Sequence, residues 1–305
     1  MSIGTILIDL LSPYLIDLAP YMPGEWFPYY FSYEIFHRPL IASLIVAIVS
    51  GFLGMFLLIR NLALIGDGLA HVSFGGVAVG LVLGSVAPLW YALAFGIVAA
   101  VIIDVLQTKN ILTGDASIAI FLTGTLGLGL VVLRIYGGGT YTDIEKYLFG
   151  DINLVDSFSF DIILTISLIG YVSMIVLYQS LLSIAIDPIA ARIQGLPVRS
   201  IGLYFSIITA AVVVSMVQIV GVLLVTALLV TPAATAQLVG KSFRSCVILA
   251  QIIGVITVLL GLYFSAENDT GSGEMIALIS ALIFAFVAIA QILVRAFLIS
   301  KENSA

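Results

Sequence analysis

Apolar stretches of about 20 residues, the length that spans a bilayer as an α-helix, recur through this sequence and constrain its fold most. One stretch, at residues 221–239, contains Pro232, so a broken or re-entrant segment there fits equally well. We therefore predict an all-α integral membrane protein, a polytopic bundle of eight to nine transmembrane helices. The expected spans are 40–59, 67–86, 88–105, 116–136, 158–178, 200–219, 221–239, 246–265 and 275–297.

Composition supports a membrane location and excludes several classes of protein. Hydrophobic residues make up 62% of the 305 residues and charged residues only 9%. The net charge of −6 argues against a nucleic-acid partner, which would require clustered Lys and Arg. The single cysteine, Cys246, excludes a disulfide framework and a multi-cysteine zinc or iron–sulfur site.

The distribution of Lys and Arg predicts how the chain crosses the membrane, because cytoplasmic loops are enriched in both residues. If the first span ends inside at Arg60, only Arg38, Arg134 and Lys146 of the 11 basic residues lie outside. We expect a multi-pass protein of the cell membrane, with the N-terminus outside and the C-terminus in the cytoplasm. The basic residues expected inside are Arg60, Lys109, Arg192, Arg199, Lys241, Arg244, Arg295 and Lys301.

No loop is long enough to form a separate soluble domain, so we predict a single transmembrane domain over residues 37–300. Residues 1–36 form an N-terminal segment that lacks a basic start and contains Asp9 and Asp17. These features do not fit a cleavable secretion signal. We expect an interfacial helix there.

Asp67 and His71 stand out because they interrupt a stretch that is otherwise suited to lipid. Residues four apart lie on one face of a helix, so both side chains can bind the same ion. A carboxylate with an imidazole suits Zn²⁺, Mn²⁺ or Fe²⁺. One helix supplies only two ligands, which suggests that two copies of this helix face each other.

A simpler interpretation is that Asp67 caps the start of the helix, since Asp is a favoured N-cap residue. Capping does not explain His71, which lies a full turn further into the span. A histidine there is costly unless it faces a cavity or a partner. The sequence therefore favours an ion site, with a capped helix and a packed histidine as the alternative.

Small residues and threonines mark two further features of the spans. Gly76, Gly80 and Gly84 form a doubled GxxxG pattern that predicts close helix packing. Thr226, Thr231 and Pro232 interrupt the span at 221–239. They either line or hinge a transport pathway, or serve ordinary packing of small residues.

The longest predicted cytoplasmic loop, residues 181–200, contains the signals of a short helix. Asp187 and Pro188 favour a helix start, and Gly195 with Pro197 favours its end. This helix is either a docking element for a cytoplasmic partner or a simple connector that carries Arg192 and Arg199.

Several catalytic and nucleotide-binding motifs are incomplete. The segment VGKS at 239–242 has the end of a phosphate-binding loop, but Thr235 replaces the required upstream glycine. We therefore expect no ATP binding by this chain. The sequence lacks an HExxH motif and a second intramembrane aspartate motif that would complete a protease dyad. These observations argue against a peptidase.

The sequence resembles the membrane permease subunits of ABC importers for zinc and manganese. The likeness runs in order from about residue 40 to residue 298. Its most specific part is the Gly-Asp-x-x-x-His block. The matching stretches are RNLALIGDGLAHVSFGGVAVGLVLG (60–84), DASIAIFLTGTLGLGLVV (115–132), YLFGDI (147–152), DPIAARIQGLPVR (187–199), VGVLLVTALLVTPAATAQLV (220–239) and GLYFSAENDTGSGEMIAL (261–278).

The resemblance implies a transport subunit without enzymatic activity that pairs with a second copy of the permease. It also implies two cytoplasmic ABC ATPase subunits that bind ATP, and an extracytoplasmic metal-binding protein. Asp67 and His71 correspond to the metal-coordinating pair for transported Zn²⁺ or Mn²⁺, with no permanently bound cofactor. Asp187, Pro188, Ala190 and Gly195 correspond to the helix that couples the permease to the ATPase.

The local sequence departs from many relatives at Gly68, Leu69 and Ala70, where relatives carry an alanine and a serine. The two proposed ligands remain, but the stiffness of the helix differs. Two other classes stay open: a proton-coupled secondary metal transporter, and a permease for a metal chelate such as a siderophore or corrinoid. The loop at 181–200 counts against the first class, and the Asp–His pair counts against the second.

Overall fold

A computed structural model describes residues 3–85, 87–136, 148, 155, 157–222 and 225–302, and every regular element among them is helical. This confirms the predicted all-α fold. The short elements are α1 (Ile3–Leu18), a 3-10 helix (Ala19–Tyr21), α2 (Tyr29–Ser32), α8 (Tyr178–Ile186), α9 (Pro188–Ile193), α11 (Val225–Leu229) and α12 (Thr231–Val239). The long helices are α3 (Glu34–Ile59), α4 (Ile65–Val82), α5 (Leu89–Thr108), α6 (Gly114–Tyr136), α7 (Ser157–Val176), α10 (Val198–Val220), α13 (Phe243–Asn268) and α14 (Ser272–Glu302).

Nine helical segments in the described part of the chain are long and apolar enough to cross a membrane. Eight of them match predicted spans within a few residues. The ninth is Ile3–Tyr21, which the sequence analysis assigned to an interfacial position. Asp9 and Asp17 are exposed on this helix, and a carboxylate that faces lipid is costly. The interfacial position of residues 1–36 stays a prediction.

The predicted span at 221–239 is a broken segment, which was the second of the two possibilities. Helices α11 and α12 meet at Val230, and Pro232 lies in the first turn of α12. Proline lacks a backbone N–H and cannot continue the regular hydrogen-bond ladder. The hydroxyl of Ser280, on α14, donates a hydrogen bond to the carbonyl oxygen of Ala227 at 2.8 Å. A neighbouring helix thus satisfies a backbone group beside the break, as hydrocarbon surroundings require.

Helices α3 and α4 form the centre of the bundle. The apolar segments of α3 and α4 are 83% and 78% buried, whereas those of α6 and α14 are only 17% and 11% buried. Close approach around α3 depends on small residues: a Cβ atom on Gly51 would lie 2.8 Å from the carbonyl oxygen of Ala250, on α13. A contact this short requires glycine, so it brings the backbones of α3 and α13 close together.

The N-terminal helix α1 is tied to the bundle by polar contacts. The backbone N–H of Gly4 donates to Oδ1 of Asp161 at 2.9 Å. Ser12 Oγ and His37 Nδ1 form a hydrogen bond of 2.8 Å, and His37 Nε2 lies 2.8 Å from the carbonyl oxygen of Phe31. Both ring nitrogens of the buried His37 are therefore occupied, and this histidine has a structural role.

Candidate functional site

Asp67 lies inside the first turn of α4, rather than at its cap. The helix begins at Ile65, and its N-cap residue, Leu64, provides no side-chain hydrogen bond. An N-cap side chain accepts a hydrogen bond from the backbone two or three residues later. The position of Asp67, the third residue of the helix, differs from that geometry. The capping interpretation therefore loses its structural basis.

Asp67 and His71 approach each other along one face of α4. Oδ1 of Asp67 lies 3.8 Å from Nε2 of His71, and their side chains are 32% and 10% exposed. Nδ1 of His71 is buried and has no hydrogen-bond partner among the described residues. A buried polar atom without a partner costs free energy unless a ligand, water or another chain satisfies it. The pair thus offers a carboxylate oxygen and an imidazole nitrogen that are available to an ion.

The pair alone does not make a complete metal site. Among the residues described, no group of three or more His, Cys, Asp and Glu side chains is placed to hold a metal ion. A tetrahedral ion requires four ligands. Within the described residues, backbone and hydroxyl oxygens are the remaining candidate ligands, and water or a second chain would supply ligands from outside them.

Glycines on both sides of His71 bring α4 close to α6. A Cβ atom on Gly68 would lie 2.5 Å from the side chain of Ile118, and one on Gly75 would lie 2.8 Å from the carbonyl oxygen of Thr125. Because Gly68, His71 and Gly75 follow helical spacing, they share one face of α4. Residue His71 therefore lies on the face that α6 covers, which accounts for its burial.

The broken segment lies beside the start of α4. A Cβ atom on Gly66 would meet the side chain of Leu229 at 2.6 Å, so α11 packs next to the turn that holds Asp67. Thr226 and Thr231 are half-buried, and Pro232 is buried. The structure therefore places Leu229 of the broken segment against the first turn of α4, a contact that the sequence alone could not establish.

The glycine series on α4 divides into two kinds of position. A Cβ atom on Gly76 would lie 2.6 Å from the carbonyl oxygen of Tyr91, and one on Gly80 would lie 3.1 Å from Cα of Pro88, at the start of α5. Gly84 differs from the predicted packing pattern, because no described residue beyond its two chain neighbours lies within 4 Å of its Cβ position. Its φ of +68° ends α4 in a left-handed conformation that favours glycine.

The predicted short helix in the loop at 181–200 is confirmed as α9. Oδ1 of Asp187 accepts hydrogen bonds from the N–H groups of Ile189 and Ala190 at 2.9 and 3.0 Å, and Pro188 occupies the first turn. Gly195, with φ +86°, follows the end of the helix. The N–H groups of Gly195 and Leu196 donate to the carbonyl oxygens of Arg192 and Ala191. This pair of hydrogen bonds is a Schellman motif.

The loop at 181–200 has one apolar face whose side chains are exposed. Ile186, Ile189 and Ile193 are 74%, 73% and 81% exposed, and Ala191 is buried on the opposite side. The sequence pattern predicts the helix but not the direction of these side chains, because the direction depends on how α9 packs on α8.

Two polar residues of structural importance escaped the sequence analysis. Asp104 lies in α5 and accepts a hydrogen bond from the hydroxyl of Ser206 at 3.1 Å. Glu267 accepts hydrogen bonds from the backbone N–H groups of Glu25, Trp26 and Phe27 at 3.1, 2.9 and 3.0 Å. The sequence signal for Asp104 was a carboxylate within an apolar stretch. Glu267 has no such local signal, because the residues that it contacts lie some 240 positions away in the sequence.

The fold is that of a polytopic helical membrane protein, and its sequence matches the ABC 3 transport family over residues 32–291. The chain belongs to this family, which confirms the resemblance identified in the sequence.

Curated relatives cover almost the whole family region. The chain is 32% identical over 271 residues to the manganese transport system membrane protein MntC of Listeria monocytogenes, covering 89% of this chain and 95% of the relative. It is 30% identical over 253 residues to the high-affinity zinc uptake system membrane protein ZnuB of Haemophilus influenzae, covering 83% and 96% respectively.

A solved structure shares the fold. The structure described as PsaBC from Streptococcus pneumoniae in complex with Fab superposes with a TM-score of 0.75 and 28% sequence identity. The match covers 90% of this chain and 94% of that chain.

Proposed function

We propose that this protein is the permease subunit of an ATP-driven ABC importer that carries a divalent metal ion, Zn²⁺ or Mn²⁺, into the cytoplasm. The observation that carries the proposal is the Asp67–His71 pair, in which Oδ1 of Asp67 lies 3.8 Å from Nε2 of His71 and the buried Nδ1 of His71 has no partner among the described residues. The names of the relatives support it, because they include manganese and zinc transport proteins. The choice between the two ions stays open, since both accept carboxylate and imidazole.

Asp67 and His71 act as ligands of the transported ion in this proposal. Their carboxylate and imidazole replace part of the hydration shell that the ion loses inside the membrane. A second copy of the permease supplies the same pair, so that four side chains surround one ion. The affinity is modest, because an ion held as tightly as a structural zinc would not leave on the timescale of transport.

Helix α9 is the proposed contact with the ATPase. Two cytoplasmic ABC ATPase subunits bind and hydrolyse ATP, one beneath each permease copy. The start at Pro188, the hydrogen bond from Ala190 to the Asp187 cap and the end at Gly195 keep α9 rigid enough to transmit movement. The exposed Ile189 and Ile193 provide the apolar contact surface.

Movement reaches the ion through the broken segment α11–α12. Thr226, Thr231 and Pro232 form a proposed hinge beside the first turn of α4, since Leu229 contacts the Gly66 position there. Rocking of the two permease copies then exposes the ion alternately to each side of the membrane.

The outer face receives the ion from an extracytoplasmic metal-binding protein. In the proposed orientation, the N-terminus is outside, the C-terminus is cytoplasmic, and acidic segments at 141–156 and 265–274 raise the local concentration of cations. Most of the first segment lies outside the described residues. Residues 265–274 include the exposed Asn268 and Asp269 at the end of α13.

The alternatives differ from this proposal in energy source or cargo. A secondary transporter would use a proton gradient and no ATPase, whereas membership of an ABC transport family supports an ATP-driven subunit. A chelate permease would not require ligands for a bare ion, whereas the Asp–His pair provides them.

Transport by proteoliposomes tests the proposal. Permease and ATPase are reconstituted together, with ATP enclosed and metal-loaded binding protein added outside. We expect uptake of Mn²⁺ or Zn²⁺ that requires enclosed ATP and that is competed by the free ion. Uptake driven by a proton gradient without the ATPase would establish a secondary transporter, and uptake of a chelate without competition from free ion would establish a chelate permease.

A further inference from the structure

A cavity of about 320 Å³ lies between α3, α5, α8, α9 and α10, away from the Asp67–His71 pair. Three arginines line it, Arg60, Arg192 and Arg199, together with one acidic residue, Asp104. Its volume is at the lower end of the range for small-ligand sites. The cavity is therefore large enough for a small charged group.

The charges in this cavity are unbalanced. No carboxylate oxygen lies within 4.0 Å of the three arginines among the described residues, and Asp104 is already held by Ser206. Three arginines thus line the cavity with only one acidic residue among the described residues. An arginine presents several N–H donors in a planar fork that suits phosphate and carboxylate oxygens.

Arg60 is the strongest indication that the cavity suits an anion. Its guanidinium lies 4.8 Å from the ring centroid of Phe205, and its Nη1 atom is buried without a hydrogen-bond partner among the described residues. Burial lowers the pKa of Arg60, and the negative charge of Asp104 opposes this shift. A bound anion would supply both the missing acceptor and the compensating charge.

The position of the cavity indicates the source of the anion. Ile59 and Thr108 are the last residues of α3 and α5, and Val198 is the first residue of α10; all three line the cavity. Three apolar segments therefore end at this level, which is where lipid headgroups meet the protein. Ile59, Ile184 and Val198 add an apolar rim beside the arginines.

We propose that this cavity binds the phosphate of an anionic phospholipid from the membrane leaflet at the Arg60 end of the bundle. Basic pockets between helices at the cytoplasmic side suit such headgroups. Arg60 on the end of α3, Arg192 on α9 and Arg199 on α10 contact the phosphate oxygens, and the apolar rim accommodates the glycerol backbone. The lipid links α9 to α3 and α5. The site is independent of the transported ion.

Titration of the full-length permease in neutral detergent with phosphatidylglycerol, followed by native mass spectrometry, tests the site. We expect one retained lipid per chain and about fivefold weaker binding in each of Arg60→Gln, Arg192→Gln and Arg199→Gln. Arg295→Gln is the matched control, because Arg295 is an exposed arginine on α14, away from the cavity. Its affinity should match that of the original protein, and phosphatidylcholine should not compete.

Each other outcome would overturn the proposal. Equal binding by all four variants, or an equal loss in Arg295→Gln, would show nonspecific attraction. Inorganic phosphate that binds as tightly as the lipid would make the cavity a site for free phosphate. Complete release of lipid when the ATPase binds, with weaker ATPase binding in the same arginine variants, would assign the cavity to a carboxylate of that partner. Arg192 and Arg199 are exposed, so their variants keep the test valid if Arg60→Gln fails to fold.

Discussion

Oδ1 of Asp187 accepts a hydrogen bond from the backbone N–H of Ala190 at 3.0 Å, which closes the first turn of α9. A second hydrogen bond to the same oxygen comes from Ile189. Helix α9 is short, and a helix of this length is not stable from its backbone alone. Its rigidity therefore depends on the cap at Asp187, on the end at Gly195 and on packing against α8.

Asp187→Ala should lower the stability of α9 by about 1 kcal/mol, the usual cost of losing an N-cap. Hydrogen exchange at Ile189 and Ala190 measures this directly, and we expect faster exchange there. Transport should decrease while metal binding is preserved. Asp187→Asn is the control because asparagine caps equally well. If the two variants show the same hydrogen exchange and the same transport, the side-chain cap at residue 187 is not required for the rigidity of α9.

Gly76→Val should destabilise the bundle by about 1–3 kcal/mol, the range for overpacking a close contact. Its new side chain would meet the backbone of α5, since even a Cβ atom would lie 2.6 Å from the carbonyl oxygen of Tyr91. Gly124→Val is the control, because none of the described residues outside α6 lies within 4 Å of the Cβ position of Gly124. Thermal unfolding in detergent compares the two. Similar transition temperatures would contradict the packing assigned to Gly76.

Ser280→Ala removes the hydrogen bond to the carbonyl oxygen of Ala227 beside the break between α11 and α12. The expected loss is about 0.6 kcal/mol, the average for a hydrogen bond between membrane helices. The larger effect should be on the rate of transport, because the proposed hinge loses its hydrogen bond from Ser280 on α14. A transport rate equal to that of the original protein, at equal metal affinity, would show that the break between α11 and α12 takes no part in the transport movement.

Glu267→Gln should release residues 25–27 from the end of α13. A neutral amide accepts weaker hydrogen bonds than a carboxylate, and three backbone N–H groups depend on this side chain. We expect hydrogen exchange at these three residues to become at least about tenfold faster. Glu274→Gln, an exposed acid in the first turn of α14, is the control. Unchanged exchange in both variants would exclude Glu267 as the anchor.

Much of the fold could be predicted from sequence because its determinants are local. Apolar length identified eight of the nine segments long enough to span, and Asp187, Pro188 and Gly195 predicted the boundaries of α9. The proximity of Asp67 and His71 follows directly from helical spacing. These features require knowledge of neighbouring residues alone.

The remaining features depend on contacts between distant parts of the chain. Gly84 continued a packing pattern in sequence, but the end of α4 places it in a left-handed turn instead. The contact of Ser280 with Ala227, and the meeting of Asp104 with Ser206, arise only when the helices pack. The open face of α9 likewise depends on how that helix lies against α8.

ATP-dependent uptake of Mn²⁺ and Zn²⁺ by the assembled transporter tests the central claim most directly. Asp67→Ala, His71→Ala and His71→Asn are compared with Asp115→Ala, which removes an exposed acid from the first turn of α6. We predict that uptake falls by at least about tenfold in the first three variants, while assembly with the ATPase and uptake by Asp115→Ala are preserved. Normal uptake by the Asp67 and His71 variants would contradict the assignment of this pair as the transport site.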